Sequence, residues 1–263
     1  MKISFLGLSS FLIENSEWYT VLVDPYDDTP KYTLWVKFPK TIQNKPLWAN
    51  ILLISEPDPD HAKIPETLLP NAKSTKPKKS PFPWLNLKWT IVYEYNWDVN
   101  ICYSYTVDGL RIAHFADHAH TLTDEQIQEL WELDIITISP PKCDYKKIPE
   151  SIEQVLSDIQ KLNPKLVIFS HHIAPDNMPF TNDSTILRKF FSAYLVQNAS
   201  TNIWYKDLTS FIELSYIYEN AHIIWNRFND FQIIDNFIFE TDKKQLDNLK
   251  QTKFILFNKM CSW

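Results

Sequence analysis

Four side chains able to bind a metal ion lie within one seven-residue stretch, residues 55–61 (Ser-Glu-Pro-Asp-Pro-Asp-His). They are Glu56, Asp58, Asp60 and His61. Carboxylates and imidazoles placed this closely repel one another or stay protonated, unless a cation or a hydrogen-bond network holds them. Taken alone, the stretch predicts a metal site and an acidic, solvated turn punctuated by proline about equally well.

Two other groups of polar side chains follow apolar runs in the same way. The stretch at 55–61 comes after Ile51-Leu52-Leu53-Ile54, which is typical of a buried strand. The run 110–113 leads into 114–120 (His-Phe-Ala-Asp-His-Ala-His), and the run 166–169 leads into Ser170-His171-His172. A single histidine near a core is more often structural than a ligand. Three such groups at three strand ends favour one functional site on a layered α/β scaffold.

The elements that must position these groups change character along the chain. Short apolar segments in the first half predict strands and hairpins, at residues 2–6, 11–14, 19–23, 87–95, 101–107 and 110–113. Asp108-Gly109 has the composition of a tight hairpin turn. In the second half strands alternate with helices, one opening after the N-cap candidate Thr123 and one beginning near Pro149. This order predicts an α/β architecture.

Several segments carry weaker signals. We expect a short helix from His61 to about Leu69, then a loop over 70–83 that is rich in lysine and proline. In residues 176–263 the sequence pattern predicts helices near 185–196 and 243–249 and a last strand at 254–257.

Composition limits the classes of function. The chain has 263 residues, 44% of them apolar, and a net charge of -6, so it can form a large core and carries no electrostatic footprint for nucleic acid. No apolar run approaches the length of a membrane span, and the amino terminus has the pattern of a strand and not of a signal peptide. Three widely spaced cysteines without a CxxC motif suit a reducing compartment, the cytoplasm. A small-molecule substrate is the expected partner, and the composition allows either a monomer or a homo-oligomer.

The stretches already described resemble the metallo-β-lactamase superfamily, specifically the branch similar to L-ascorbate-6-phosphate lactonase. Residues 7–14 match that family's Gly-His-Ser-Ser-Phe-Leu-Ile-Glu except at Leu8, and Asp24-Pro25 matches the end of its next conserved strand. Residues 55–61 align with the signature Ser/Thr-His-x-His-x-Asp-His. Gly109 to His120 and His171 align with its later landmarks, so the resemblance covers about residues 1–175.

The resemblance implies a fold and a ligand set. The fold is a four-layer αβ/βα sandwich formed by residues 1–263 as a single domain, with 176–263 as a C-terminal layer and extension. The positions that hold one metal in the family are occupied here by Asp60, His61, Asp117 and His171. Asp24 aligns with the acid that orients a ligand histidine.

The departures from the family fall on the other metal position. Glu56 and Asp58 stand where the signature has its first two histidines, and Glu94 aligns with the third. The glycine before the bridging aspartate is replaced by Ala116. An all-oxygen second position would suit Mn²⁺ or Mg²⁺ better than zinc.

The implied activity is a divergent metal-dependent hydrolase that acts on a small ester, lactone or phosphoester through a metal-bound water. The expected cofactor is a divalent metal, Zn²⁺ or Mn²⁺, and Asp60 and Asp58 are the catalytic candidates, with a carboxylate able to serve as general base. The alternative is a catalytically inactive member of the fold that serves as a binding or assembly subunit. Loss of three imidazoles and of glycine-rich loops motivates that alternative.

Overall fold

The computed structural model of the chain describes residues 1–26, 38–58, 60–64, 73–74, 85–94, 97–130, 132–140, 148–171, 231–257 and 259–261. Two β-sheets dominate these residues. The first contains six described strands: β1 (Lys2–Gly7), β2 (Ser10–Glu14), β3 (Thr20–Val23), β6 (Ile51–Leu53), β7 (Lys73–Ser74) and β14 (Ile238–Glu240). Their order is β14-β1-β2-β3-β6-β7.

The second sheet contains seven described strands: β8 (Lys88–Tyr93), β9 (Val99–Val107), β10 (Leu110–His114), β11 (Ile135–Ile138), β12 (Leu166–Phe169), β13 (Phe231–Ile234) and β15 (Lys253–Phe257). Their order is β13-β15-β12-β11-β10-β9-β8. A separate hairpin joins β4 (Thr41–Ile42) to β5 (Lys45–Pro46). The helices are α1 (Asp124–Leu130), α2 (Ile148–Leu162) and α3 (Lys243–Asp247). Within the described ranges no helix is both long and apolar enough to cross a bilayer.

Two hydrophobic cores explain why the central strands are apolar on both faces. On β12, Leu166 and Ile168 enter the core shared by the two sheets. Val167 and Phe169 point the other way and pack with residues of α1 and α2. Side chains alternate across a strand, so a strand covered on both faces must be apolar throughout. The α/β sandwich expected from the resemblance is therefore confirmed.

Two local sequence patterns, a hairpin turn and a helix N-cap, are confirmed by the structure. The turn between β9 and β10 is formed by Asp108 (φ 50°) and Gly109 (φ 75°), the positive angles that a two-residue type I′ hairpin needs. Thr123 caps α1: its Oγ1 accepts from Gln126 N at 3.2 Å, and Gln126 Oε1 accepts from Thr123 N at 2.7 Å. This is a capping box.

The structure also corrects two expectations. Lys73–Ser74, which fall inside the predicted loop, form strand β7 parallel to β6. Phe231–Ile234 form strand β13, which the sequence patterns did not predict. The helices expected up to Leu69 and over 185–196 lie outside the described residues.

Candidate metal centre

Backbone hydrogen bonds bring the ends of five strands together at one edge of the two sheets. Asp24, just after β3, donates its N–H to Leu53 O at 2.9 Å and so joins the end of β6. On the second sheet, Ser139 N donates to Ala116 O at 3.1 Å. His171 N, just after β12, donates to Leu8 O at 2.7 Å and links the second sheet to the first. The three polar groups found by sequence therefore meet.

The carboxylate of Asp24 is fully buried and accepts four hydrogen bonds. Ser55 donates through N at 2.8 Å and Oγ at 2.6 Å, His61 Nδ1 lies at 2.9 Å and His114 Nε2 at 2.8 Å. Burial by itself would raise the pKa of Asp24. The charge of His114 and the hydrogen bonds from both histidines outweigh burial and hold that pKa far below its usual range. Asp24 is therefore a permanent anion that fixes two imidazole rings.

The bond to Asp24 determines how His61 presents its other nitrogen. An ionised carboxylate only accepts, so His61 Nδ1 must carry a proton, and Nε2 is the nitrogen that a metal ion would bind in place of any proton of its own. Nε2 lies 2.9 Å from Glu56 Oε1 and 3.7 Å from both Asp60 Oδ2 and Asp117 Oδ2. Three carboxylates thus surround one imidazole nitrogen.

His171 completes the cluster. Its Nε2 lies 3.3 Å from Asp60 Oδ2, and its Nδ1 lies 2.5 Å from Asp117 Oδ1. The donor atoms of two triplets, Asp60-His61-His171 and Glu56-His61-Asp117, each lie within 4.8 Å of one another. We call these residues the five-residue cluster: Glu56, Asp60, His61, Asp117 and His171. Asp60, with 29% of its side chain exposed, marks the solvent side, because the other four side chains are at most 3% exposed.

The chemistry of the cluster fits a divalent cation. Glu56 Oε1 and His61 Nε2 are buried, point toward each other, and form no hydrogen bond within the described part of the chain. Burial alone would lower the pKa of His61, but the charges of Asp60 and Asp117 raise it well above its ordinary value. This strongly negative environment attracts a cation, and mixed imidazole and carboxylate donors suit zinc, manganese or iron.

Two of the seven predicted site residues stand outside both triplets among the described residues. The side chain of Asp58 is exposed, and its carbonyl accepts from His61 N at 2.9 Å and Ala62 N at 2.8 Å. Asp58 therefore forms the turn that presents His61. Glu94 is buried in the turn between β8 and β9, where its carbonyl accepts from Trp97 N at 3.0 Å.

The remaining described histidines support the surroundings of the cluster. His114 spans from Asp24 to Thr137, whose Oγ1 lies 2.6 Å from Nδ1. His118 Nε2 lies 3.1 Å from Asp158 Oδ2, and both residues are buried. His120 stacks on Trp97 with ring centroids 3.7 Å apart. His172 lies outside the described residues. Sequence reasoning missed Ser55 and Asp158: Ser55 could have been noticed beside the acidic residues, whereas Asp158 carries no local signal on α2.

Of the twelve non-glycine residues with positive φ in the described part of the chain, four lie around the cluster. They are Leu8 (51°), Asp24 (45°), Ala116 (45°) and His171 (56°). Left-handed backbone is unfavourable for residues with a Cβ, by about 1–2 kcal/mol each, and it persists at functional sites where the surroundings enforce it. A chain with two glycines has formed these turns without glycine.

Comparison with known proteins identifies the family and the fold. The family profile described as Beta-lactamase superfamily domain matches residues 2–171. No curated protein sequence matches the chain. A Thermotoga maritima structure, provisionally described as a zinc-dependent hydrolase of the metallo-β-lactamase superfamily, is similar over 97% of both chains, with a TM-score of 0.58 and 15% identity.

Two further structures are more distant. CmlA, a diiron β-hydroxylase from Streptomyces venezuelae, is similar over 97% of this chain and 52% of its own, with a TM-score of 0.49 and 10% identity. The short form of human tRNase Z is similar over 65% of this chain and 92% of its own, with a TM-score of 0.45 and 11% identity. At these identities the likeness shows the fold alone.

Proposed function

The chain belongs to the metallo-β-lactamase superfamily, and we propose that it is a metal-dependent hydrolase of a small ester, lactone or phosphoester. One observation carries the proposal. His61, oriented by the anionic Asp24, directs a buried Nε2 into a group of carboxylates within 3.7 Å, beside His171. A purely structural histidine would pair with one partner and would not require three carboxylates around the same nitrogen.

The chemistry would depend on a divalent cation, Zn²⁺ or Mn²⁺, held by Asp60, His61, Asp117 and His171. Such a cation lowers the pKa of a coordinated water toward neutrality and polarises a carbonyl or phosphoryl oxygen. Asp24 holds Nδ1 of His61 so that Nε2 faces the cation position, and the partly exposed Asp60 lies on the face where substrate can arrive. Asp60 or the exposed Asp58 would accept a proton during hydrolysis.

The resemblance to the lactonase-like branch supports a small substrate with an activated acyl or phosphoryl centre. That resemblance lies in residues 7–14, 55–61 and 109–120: His61 and Asp117 belong to the cluster, and Leu8 O accepts a hydrogen bond from His171 N. The substrate class therefore belongs to the proposal.

The proposal can be tested by hydrolysis assays on metal-free protein reloaded with Zn²⁺ or Mn²⁺. Suitable probes are a p-nitrophenyl ester, a bis(p-nitrophenyl) phosphodiester and a simple lactone. We expect activity on at least one probe that returns with metal and falls at least about a hundredfold in a variant carrying Asp60→Ala and His171→Ala, because even outer-shell partners matter 10–100-fold. Glu14→Gln, a carboxylate change on β2 away from the cluster, should leave activity unchanged. Activity that persists in the double variant would refute the proposal.

The second candidate is a binding or assembly subunit without catalysis. It is favoured by the exposed position of Asp58 and by the exclusion of Glu94 from both triplets, since the described residues then offer no separate ligand set at the family's first metal position. This candidate predicts that all three probes stay intact with any metal. It also predicts that the double variant keeps every partner contact of the unmodified chain, as measured by co-purification.

A further inference from the structure

The two donor triplets of the centre share one atom. Each triplet contains His61, and Nδ1 of that ring is already bonded to Asp24 at 2.9 Å. Only Nε2 can bind a cation, and one lone pair binds one cation. The two triplets cannot each hold an ion of their own, so an ion on Nε2 can take its other donors from either triplet.

The separations around the two imidazole nitrogens are those of ligands on one ion. Ligand bonds of about 2.0–2.2 Å place neighbouring donors on one ion about 3–3.6 Å apart. Around His61 Nε2 the observed separations are 2.9 Å to Glu56 Oε1 and 3.7 Å to the oxygens of Asp60 and Asp117. His171 Nε2 stands 3.3 Å from the Asp60 oxygen. Two cations would sit about 3.5–4 Å apart and would each need their own donors.

Glu56 and Asp58 behave differently although both replace family histidines. Glu56 is 4% exposed, and its Oε1 is buried with no hydrogen bond within the described ranges. Asp58, two residues later, turns its side chain to solvent. A buried carboxylate is unfavourable unless positive charge compensates for it, and Oε1 of Glu56 lies 2.9 Å from the metal-facing nitrogen of His61. The position of Glu56 is therefore explained by a ligand role that Asp58 does not share.

From these contacts we infer that the five-residue cluster holds one divalent cation per chain, with Glu56 as an additional carboxylate ligand. The centre has two nitrogen and three carboxylate donors. This donor set favours Mn²⁺ and Fe²⁺ more than a histidine-rich zinc site does. This inference rests on the proposed function, but it concerns the number of ions and the identity of a ligand, which hydrolysis alone does not determine.

The test is metal binding measured without catalysis. Chelator-treated protein is dialysed against Mn²⁺, bound metal is counted by mass spectrometry, and free Mn²⁺ is followed by electron paramagnetic resonance. We expect one Mn²⁺ per chain. Glu56→Gln keeps the shape of the side chain and should weaken binding at least about tenfold, the lower limit for losing even an outer-shell partner. The matched control Asp58→Asn should bind within about twofold of the parent chain.

A third variant examines selectivity. Glu56→His returns an imidazole to the position and should raise the ratio of Zn²⁺ to Mn²⁺ affinity, since imidazole suits zinc and carboxylate suits manganese. Two cations per chain, equal losses in Glu56→Gln and Asp58→Asn, or an unchanged affinity ratio in Glu56→His would overturn the inference while leaving a metal-dependent hydrolase intact. Absence of any bound metal would overturn both. The count on the unmodified chain decides the number of ions even if a variant folds poorly.

Discussion

The carboxylate of Asp24 offers the most demanding test of how the centre is built. Asp24→Asn keeps the size of the side chain but replaces one acceptor oxygen with an NH₂ donor. Oδ2 faces Ser55 Oγ, His61 Nδ1 and His114 Nε2, and Oδ1 faces Ser55 N at 2.8 Å. In either orientation the new amide nitrogen meets at least one donor, and all of these groups are buried.

The magnitude follows from these contacts. Leaving a buried donor unsatisfied costs about 1–3 kcal/mol, and each imidazole exchanges a charge-assisted hydrogen bond for a neutral one at a cost of about 1 kcal/mol. The sum, about 3–5 kcal/mol, equals the range for breaking a buried ion pair. Metal affinity should fall about 10–100-fold as well, because His61 loses the partner that orients it.

Urea denaturation followed by circular dichroism measures the first effect, and Mn²⁺ binding measures the second. The control is Glu14→Gln, which removes a carboxylate from the Lys2–Glu14 pair (2.7 Å, each side chain about one-fifth exposed). A partly exposed pair of this kind contributes about 0–1 kcal/mol. If Asp24→Asn loses less than about 1 kcal/mol, or no more than the control, the assignment of Asp24 as the central anion is wrong.

Three other predictions concern the packing, the thiols and the helix cap of the fold. Gly109→Ala should cost about 1–2 kcal/mol, because φ is 75° and no atom lies within 4 Å of the new Cβ. Gly7→Ala should cost more in urea denaturation, because φ is 104° and its Cβ would lie 3.0 Å from the Tyr26 hydroxyl, which donates to Leu6 O at 2.8 Å. Equal losses would contradict the close packing at Gly7. Cys143→Ser leaves two cysteines, Cys102 and Cys261. Neither thiol should react quickly with Ellman's reagent at pH 8, because burial raises the pKa of Cys102 well above its usual value and that of Cys261 to about 11. Fast labelling before unfolding would refute that burial. Thr123→Ala should lower the free energy of unfolding by about 1 kcal/mol through loss of the α1 cap, and no measurable change would show that the capping box contributes nothing.

Sequence reasoning located the region of the centre because strand ends are easy to recognise. Apolar runs at 51–54, 110–113 and 166–169 end in polar groups, and parallel pairing of β10, β11 and β12 brings two of those ends to one edge. The pattern therefore predicted which segments meet. It did not predict that Glu56 turns inward and Asp58 outward, because a turn containing two prolines has no periodicity from which side-chain direction can be read.

Long-range partners account for the other omissions. Asp158 contacts His118 from 40 residues away, and its position on α2 has no feature that distinguishes it from a solvated acid. Strand β13 pairs with β15 in parallel, a contact set by the whole sheet, while β7 is two residues long and lies among lysines and prolines. In each case tertiary contacts decided the structure and local propensity did not.

X-ray diffraction from metal-loaded crystals, collected at the absorption edge of the added cation, tests the central claim most directly. We expect one anomalous peak about 2.0–2.3 Å from His61 Nε2, within bonding distance of Glu56, Asp60, Asp117 and His171. Crystals that bind the cation elsewhere, or that show no peak within the five-residue cluster, would contradict it.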